Sequence, residues 1–190
     1  MKKRIFDLIF SVILVLLASP LFVLIAVLVR LTSKGPVIFR QKRLGFNQAP
    51  FTIFKFRGMK DGSGKEGLDM VMPNDDRVTK VGRIIRKTHL DELPQLWNVI
   101  KGEMSIIGPR PLMESIVSLR MDTVPNYGNR FLVKPGLTGI VQVRGRLMAR
   151  KMGAKRNLRL DLFYIKKQNL VFDLKILYRT VLTVLQAKGV

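Results

Sequence analysis

Asp91 and Glu92 are adjacent carboxylates in a chain where carboxylates are scarce, 13 Asp and Glu against 34 Lys and Arg. Such a pair can do two kinds of chemistry. A carboxylate can attack phosphorus and form an acyl phosphate. A pair can also hold Mg²⁺, which takes one or two carboxylates and completes its shell with substrate phosphates. A plainer role is open as well: with Pro94 in a first helical turn, a carboxylate here caps free amides and meets the favourable end of the helix dipole.

Cations crowd the pair in sequence. Arg83, Arg86 and Lys87 precede it, Lys55 and Arg57 end an alternating run, and Arg110 sits between Pro109 and Pro111. Such neighbours keep a carboxylate ionised and, with a metal, offset charge on a diphosphate. A residue before proline is pushed out of the helical region, so Arg110 would be aimed, as bidentate phosphate recognition requires. A surface loop accounts for the same residue. Asp75-Asp76-Arg77 reads as a charged loop, and Asp161 as a salt-bridge partner for a nearby arginine. His89 reads as a helix-start residue, and Trp97 and Asn98 as core and helix packing.

The elements that carry these residues follow from composition and pattern. A length of 190 residues fits one domain with an appended element. The absence of cysteine excludes disulfides, thiolate metal sites and a cysteine nucleophile, and a lone histidine gives histidine chemistry little to work with. A net charge of +21 calls for polyanions: nucleic acid, anionic lipid or phosphorylated substrates. Yet 47% of the residues are apolar and the mean hydropathy is +0.17, so charge and apolar surface must be segregated.

They are. From Leu8 to Val29 only Ser11 and Ser19 are polar; as a helix this run reaches about 33 Å, enough for a bilayer core. It is too long for a signal-peptide core and no cleavage site closes it, so it is expected to be retained. Ser19-Pro20 predicts a break in its middle. Lys2, Lys3 and Arg4 lie before it, and Arg30 and Lys34 after it. Basic flanks stay on the cytoplasmic side, which a re-entrant helix satisfies at both ends and a straight span at one. Both topologies remain open on sequence alone.

Beyond a Ser33–Pro36 turn, residues 37–41 and 51–57 predict a short β-hairpin. Residues 58–75, with Gly58, Gly62, Gly64, Gly67 and Pro73, predict a mobile loop. Amphipathic helices are expected over 78–87 and 90–100. Gly108-Pro109-Arg110-Pro111 predicts a rigid extended turn. Leu174, Leu177, Tyr178, Val181, Leu182 and Leu185 make one apolar stripe of a C-terminal helix, suited to the core or to a lipid interface. The fold expected is α+β and mostly helical. It comprises a re-entrant membrane helix over 1–31 and a cytosolic or interfacial catalytic domain over 32–190, with several amphipathic interfacial helices.

Lys55-Phe56-Arg57, the run Leu90-Asp91-Glu92-Leu93-Pro94-Gln95-Leu96-Trp97-Asn98-Val99, and Gly108-Pro109-Arg110-Pro111 resemble the bacterial sugar transferase family, the monotopic phosphoglycosyl transferases. Shorter matches at Ser33–Pro36, Arg40-Gln41, Asp76–Thr79, Lys134–Gly139 and Gln142-Val143 extend the resemblance from Lys3 to about Val184. The resemblance implies a re-entrant helix broken at Ser19-Pro20. It implies Asp91 as the nucleophile that displaces UMP from a UDP-sugar, leaving a covalent phosphosugar that polyprenol (undecaprenyl) phosphate then takes. It implies Mg²⁺, with Asp91 and Glu92 as its ligands and Glu92 in metal or proton handling. Lys55, Arg86, Arg110 and Asp161 fall on phosphate-binding or active-site positions.

The sequence departs from the family pattern at Gly58, Ile140 and Arg144, and residues 147–159 are unusually basic. These departures bear on sugar specificity, not on the acid pair. Expected partners are a UDP-sugar, polyprenol phosphate and anionic membrane lipids at the cytoplasmic face of a bacterial inner membrane. A homo-oligomer is allowed and nucleic acid is not expected. The competing reading is a membrane-anchored basic module that binds acidic lipid or nucleic acid without catalysis; no nucleic-acid motif supports it.

Overall fold

The structure, a computed structural model, describes residues 2–60 and 75–185. Helix α1 (Lys2–Thr32) is followed by strands β1 (Ile38–Leu44) and β2 (Pro50–Phe56), then helices α2 (Lys80–Lys87) and α3 (Leu96–Lys101). Strand β3 (Ser105–Ile107), helix α4 (Glu114–Thr123), strand β4 (Gly136–Thr138) and helices α5 (Arg146–Lys167) and α6 (Leu170–Leu185) complete the order. The expected α+β, mostly helical architecture holds. Most of the loop expected over 58–75 lies outside the described residues.

α1 remains helical through Pro20. Proline lacks the N–H that would bond the carbonyl four residues back, here Leu16. The Ser19 hydroxyl donates to that carbonyl at 2.8 Å, which matters where no water is at hand to do so. The helix is long and apolar enough to cross a membrane, and only 11% of its most apolar window is buried against the protein.

Both ends of α1 nevertheless pack on the same folded body. Near the start, Arg4 donates to the carbonyls of Val99 and Ile100 at 2.5 and 2.7 Å, closing the C-terminus of α3. Buried Asp7 accepts from the Ile106 amide at 3.1 Å. Lys3 meets Asp173 on α6 at 2.6 Å, and Asp173 in turn accepts from the Tyr164 hydroxyl at 2.8 Å. Near the far end, Ile25 and Val29 pack with Phe56 of β2 and Ile85 of α2.

β1 and β2 form the expected antiparallel hairpin, with Phe39 opposite Lys55. It is longer at its inner end than expected, because Leu44 and Pro50 still pair and the chain turns between them with Asn47 and Gln48 at positive φ. A second pair, β3 with β4, is parallel. Its closeness requires glycine: a Cβ on Gly136 would lie 2.0 Å from the Gly108 nitrogen. The main core joins Ile53, Leu96, Val99, Met104, Ile106, Ile107, Tyr164 and Ile176; each large apolar side chain so buried contributes about 1.5–3 kcal/mol.

Two expectations need correcting. Residues 90–100 are not one helix: Leu90–Gln95 is a 3-10 turn leading into α3. Trp97 is not core but 54% exposed. α3 is short and shows the body only its Leu96, Asn98 and Val99 side, which leaves Trp97 outside.

Candidate active site

The acid pair is positioned by a sharp start to the 3-10 turn. α2 begins on Thr79, whose hydroxyl accepts from the Gly82 amide at 2.8 Å. A Cβ on Gly82 would lie 1.9 Å from the Gly58 carbonyl, so glycine lets α2 close on the end of β2. After α2, His89 takes a left-handed conformation at φ 59° and its carbonyl accepts from the Glu92 amide at 3.1 Å. The chain reverses and carries Asp91 and Glu92 inward, where both are buried.

Asn98 fixes this turn to the hairpin. Fully buried, it accepts from the Phe54 amide and donates to the Thr52 carbonyl at 2.7 Å and to Glu103 at 2.7 Å. It thereby sets β2, and Lys55 on it, against the acid turn. Lys55 Nζ lies 3.2 Å from Glu92 Oε1. From the other side Arg110 donates to the same oxygen at 2.9 Å. One carboxylate oxygen thus gathers two cations, whose side chains keep 17% and 36% of their surface exposed.

Arg110 is aimed by the backbone on either side of it. Gly108 N–H donates to the Thr138 carbonyl and Pro109 O accepts from Gly136 N–H, both at 2.9 Å. The Arg110 carbonyl accepts from Arg130 at 3.0 Å. Arg130 is buried, reaches Asp161 at 2.9 and 3.2 Å, and lies over the rings of Tyr127 and Phe131. Burial pushes the Asp161 carboxyl above its ordinary range, against the opposing pull of Arg130.

The expected site residues therefore sort into two layers. Asp91, Glu92, Lys55 and Arg110 come together. Asp161 stands behind them, joined to Arg110 through Arg130, in the salt bridge its local sequence suggested. Arg86 lies on α2 with its chain against Gly58, and its charge helps lower the Asp75 carboxyl. A side chain at position 58 would touch Arg86 at 3.2 Å, so Gly58 leaves room for that arginine. Ser19 and Pro20 sit far along the sequence in α1 and serve the helix alone. Sequence reasoning missed Asn98 and Arg130 as positioning groups; nothing in their local pattern distinguishes them from packing residues.

No cluster of three or more His, Cys, Asp or Glu forms among the described residues. Two adjacent carboxylates nevertheless fit Mg²⁺, which is content with one or two when phosphates supply the rest. Asp91 and Glu92 are the residues that would hold such an ion, with Lys55 and Arg110 beside them on Glu92 Oε1.

The bacterial sugar transferase model matches residues 1–187. The chain belongs to the bacterial sugar transferase family. It is 41% identical over 187 residues to a UDP-N-acetylgalactosamine-undecaprenyl-phosphate N-acetylgalactosaminephosphotransferase of Aeromonas hydrophila, covering 98% of this chain and 44% of that one. It is 40% identical to a UDP-glucose:undecaprenyl-phosphate glucose-1-phosphate transferase of Caulobacter vibrioides, covering 95% and 68%. An exopolysaccharide production protein of Rhizobium leguminosarum is 38% identical, with 98% and 97% covered. The chain thus spans less than half of the Aeromonas relative and nearly the whole of the Rhizobium one. The acid turn and the pinned arginine, 18 positions apart in sequence, meet at one place in the fold.

Proposed function

We propose that this chain transfers a phosphosugar from a UDP-sugar to polyprenol phosphate at the cytoplasmic face of the membrane, with Asp91 as nucleophile. One observation carries the reading: a buried carboxylate pair with two partly exposed cations held on Glu92, beside an apolar helix suited to lipid. The relatives' printed activities support the substrate classes.

In the first step an Asp91 carboxylate oxygen attacks the phosphorus that bears the sugar. The bond from that phosphorus to the bridging oxygen breaks, and its electron pair leaves with UMP. In the second step a phosphate oxygen of the polyprenol attacks the same phosphorus, and the acyl-phosphate P–O bond breaks. Asp91 regains its carboxylate, and the product is a polyprenyl diphosphosugar. No net proton transfer is needed. Lys55 and Arg110 face the charge that builds on the phosphoryl oxygens, and Glu92 keeps both in place. Mg²⁺, if held by Asp91 and Glu92, would supply Lewis-acid stabilisation of the diphosphate.

The topology proposed is re-entrant. Arg4 and Asp7 bind the body at one end of α1, while Ile25 and Val29 bind it at the other. A straight span would carry one of these contacts, and the polar body with it, through the bilayer.

The test is UMP release by the full chain with Mg²⁺, a UDP-sugar and polyprenol phosphate. Asp91→Asn is expected to lose at least about a thousandfold in rate, the scale of removing a nucleophile. Glu92→Gln should retain a covalent phosphosugar on Asp91 but form it slowly. Intact mass of the protein incubated with UDP-sugar alone reads that adduct. Wild-type turnover in Asp91→Asn would sink the assignment.

A further inference from the structure

We infer that the outer surface of α5 and α6 selects anionic phospholipid headgroups. The inference rests on the membrane placement of α1 but not on the identity of the nucleophile. Along α5, Lys155, Arg156, Arg159, Lys166 and Lys167 are exposed. At 100° per residue they fall within an arc of roughly 120°, and Phe163, 50% exposed, lies inside it. On α6, Leu170, Val171, Leu174, Tyr178, Val181 and Leu182 are exposed and share another arc of about 120°. Lys175 and Arg179 border it. This is the layout of a helix lying in a lipid interface.

The two helices each carry one acidic residue, and both are buried and engaged inward: Asp161 with Arg130, Asp173 with Lys3 and Tyr164. Among the described residues no carboxylate interrupts the outward cations. Where α5 meets α6, a cleft of about 270 Å³ is lined by Phe163, Lys167, Asn169, Val171, Phe172 and Lys175. A phosphodiester there meets two ammonium groups while its apolar chain lies along Phe163 and Val171. The Lys3–Asp173 pair ties the start of α6 to the start of α1, so α6 leaves the body beside the apolar helix. Charge complementarity therefore favours an acidic bilayer over an acidic protein, which would leave the apolar arc of α6 uncovered.

The experiment uses the full chain in mixed phosphatidylcholine and phosphatidylglycerol vesicles, with spin-labelled versions of each lipid. The motionally restricted fraction should favour phosphatidylglycerol by about fivefold, the scale of one basic residue at an anionic surface, and the preference should shrink at high salt. Combined Lys155→Glu, Arg159→Glu, Lys166→Glu and Lys167→Glu should abolish it while UMP release in neutral detergent persists. If that variant does not fold, the milder Lys167→Gln/Lys175→Gln chain should at least halve the preference. Equal restriction of the two lipids by the wild type overturns the inference, as does a preference that the folded variants keep. Binding of single-stranded RNA in neutral vesicles, lost in the same variants and accompanied by equal lipid restriction, also overturns it and gives the strip to nucleic acid.

Discussion

Glu92 and Asp173 are both buried carboxylates that receive a lysine from a distant element, yet their charge balances differ. Asp173 meets one cation, Lys3, and closes its other oxygen with the Tyr164 hydroxyl. Burial and that bond push the Tyr164 phenol up, so the hydroxyl stays a donor. Glu92 meets two cations through a single oxygen, and both keep some exposure. The first arrangement neutralises itself and docks a helix. The second draws two cations to one acid and leaves both partly open to solvent, where an anion could reach them. Burial of an acid thus does not by itself separate docking from a site that faces solvent; the two acids differ in how many cations they gather.

The largest break in that comparison comes from the layer behind Glu92. Asp161 and Arg130 are both sealed, with side chains about one-twentieth exposed. Asp161→Ala would leave an uncompensated buried guanidinium, which costs about 3–5 kcal/mol. It also frees Arg130 from its grip on the Arg110 carbonyl. Thermal unfolding in detergent should show the loss of stability. A milder change, Arg130→Lys, keeps the charge but loses the fork that reaches both Asp161 and the carbonyl. UMP release by Arg130→Lys should fall about tenfold or more, chiefly in kcat/KM, while the covalent adduct on Asp91 still forms. An unchanged rate in a folded Arg130→Lys chain would separate Arg110 from its support and make Glu92 alone responsible for its aim.

The docking pair should respond more weakly. Asp173→Asn keeps a Tyr164 acceptor but loses the Lys3 attraction, and Lys3 is one-third exposed. Water can then take over the ammonium, so the expected cost is about 1 kcal/mol. The full chain should melt slightly lower, with near-normal turnover. Catalytic loss as deep as that of Arg130→Lys would erase the difference between the docking carboxylate and that of the proposed site.

How much of this was legible in the sequence depends on the range of each interaction. The hairpin announces itself by alternation, and α1 by an unbroken apolar run, because both signals lie within one element. Asp91-Glu92 is legible as a pair, and Lys55 and Arg110 as cations that could reach it. The bridging oxygen is not, since it joins residues 37 and 18 positions from Glu92. The parallel pair β3–β4 has three-residue strands, too short for any period to show. Asn98 and Trp97 are adjacent, and the pattern gave both to the core. A short helix buries one side only, and which side was decided chiefly by Thr52 and Phe54, 46 and 44 positions from Asn98. Asp7 and Asp173 carried no signal as docking groups, because Ile106 and Lys3 lie 99 and 170 positions from them.

The smallest expected effect belongs to a third carboxylate, Asp75, whose partner is only two residues away. It binds Arg77 through two oxygens, at 2.6 to 3.1 Å. The Arg77 side chain, with its backbone amide, holds the Asp75 carboxyl down to about 2 from 3.8. Between those two values the unfolded chain binds more protons than the folded one, so stability rises with pH there. The contribution is fully present above about 3.8 and is lost as pH falls through about 2. Asp161 has the opposite sign: its folded carboxyl is raised, so its term weakens as pH rises. Carboxyl NMR of the full chain should place the Asp75 midpoint near 2, and Arg77→Gln should return it toward 3.8. Because the Asp75 carboxyl keeps only 8% of its surface and is held first by its hydrogen bonds to Arg77, added salt should move its midpoint little. A midpoint that climbs steeply with salt would mean that the charge of Arg77, rather than its hydrogen bonds, holds Asp75 down.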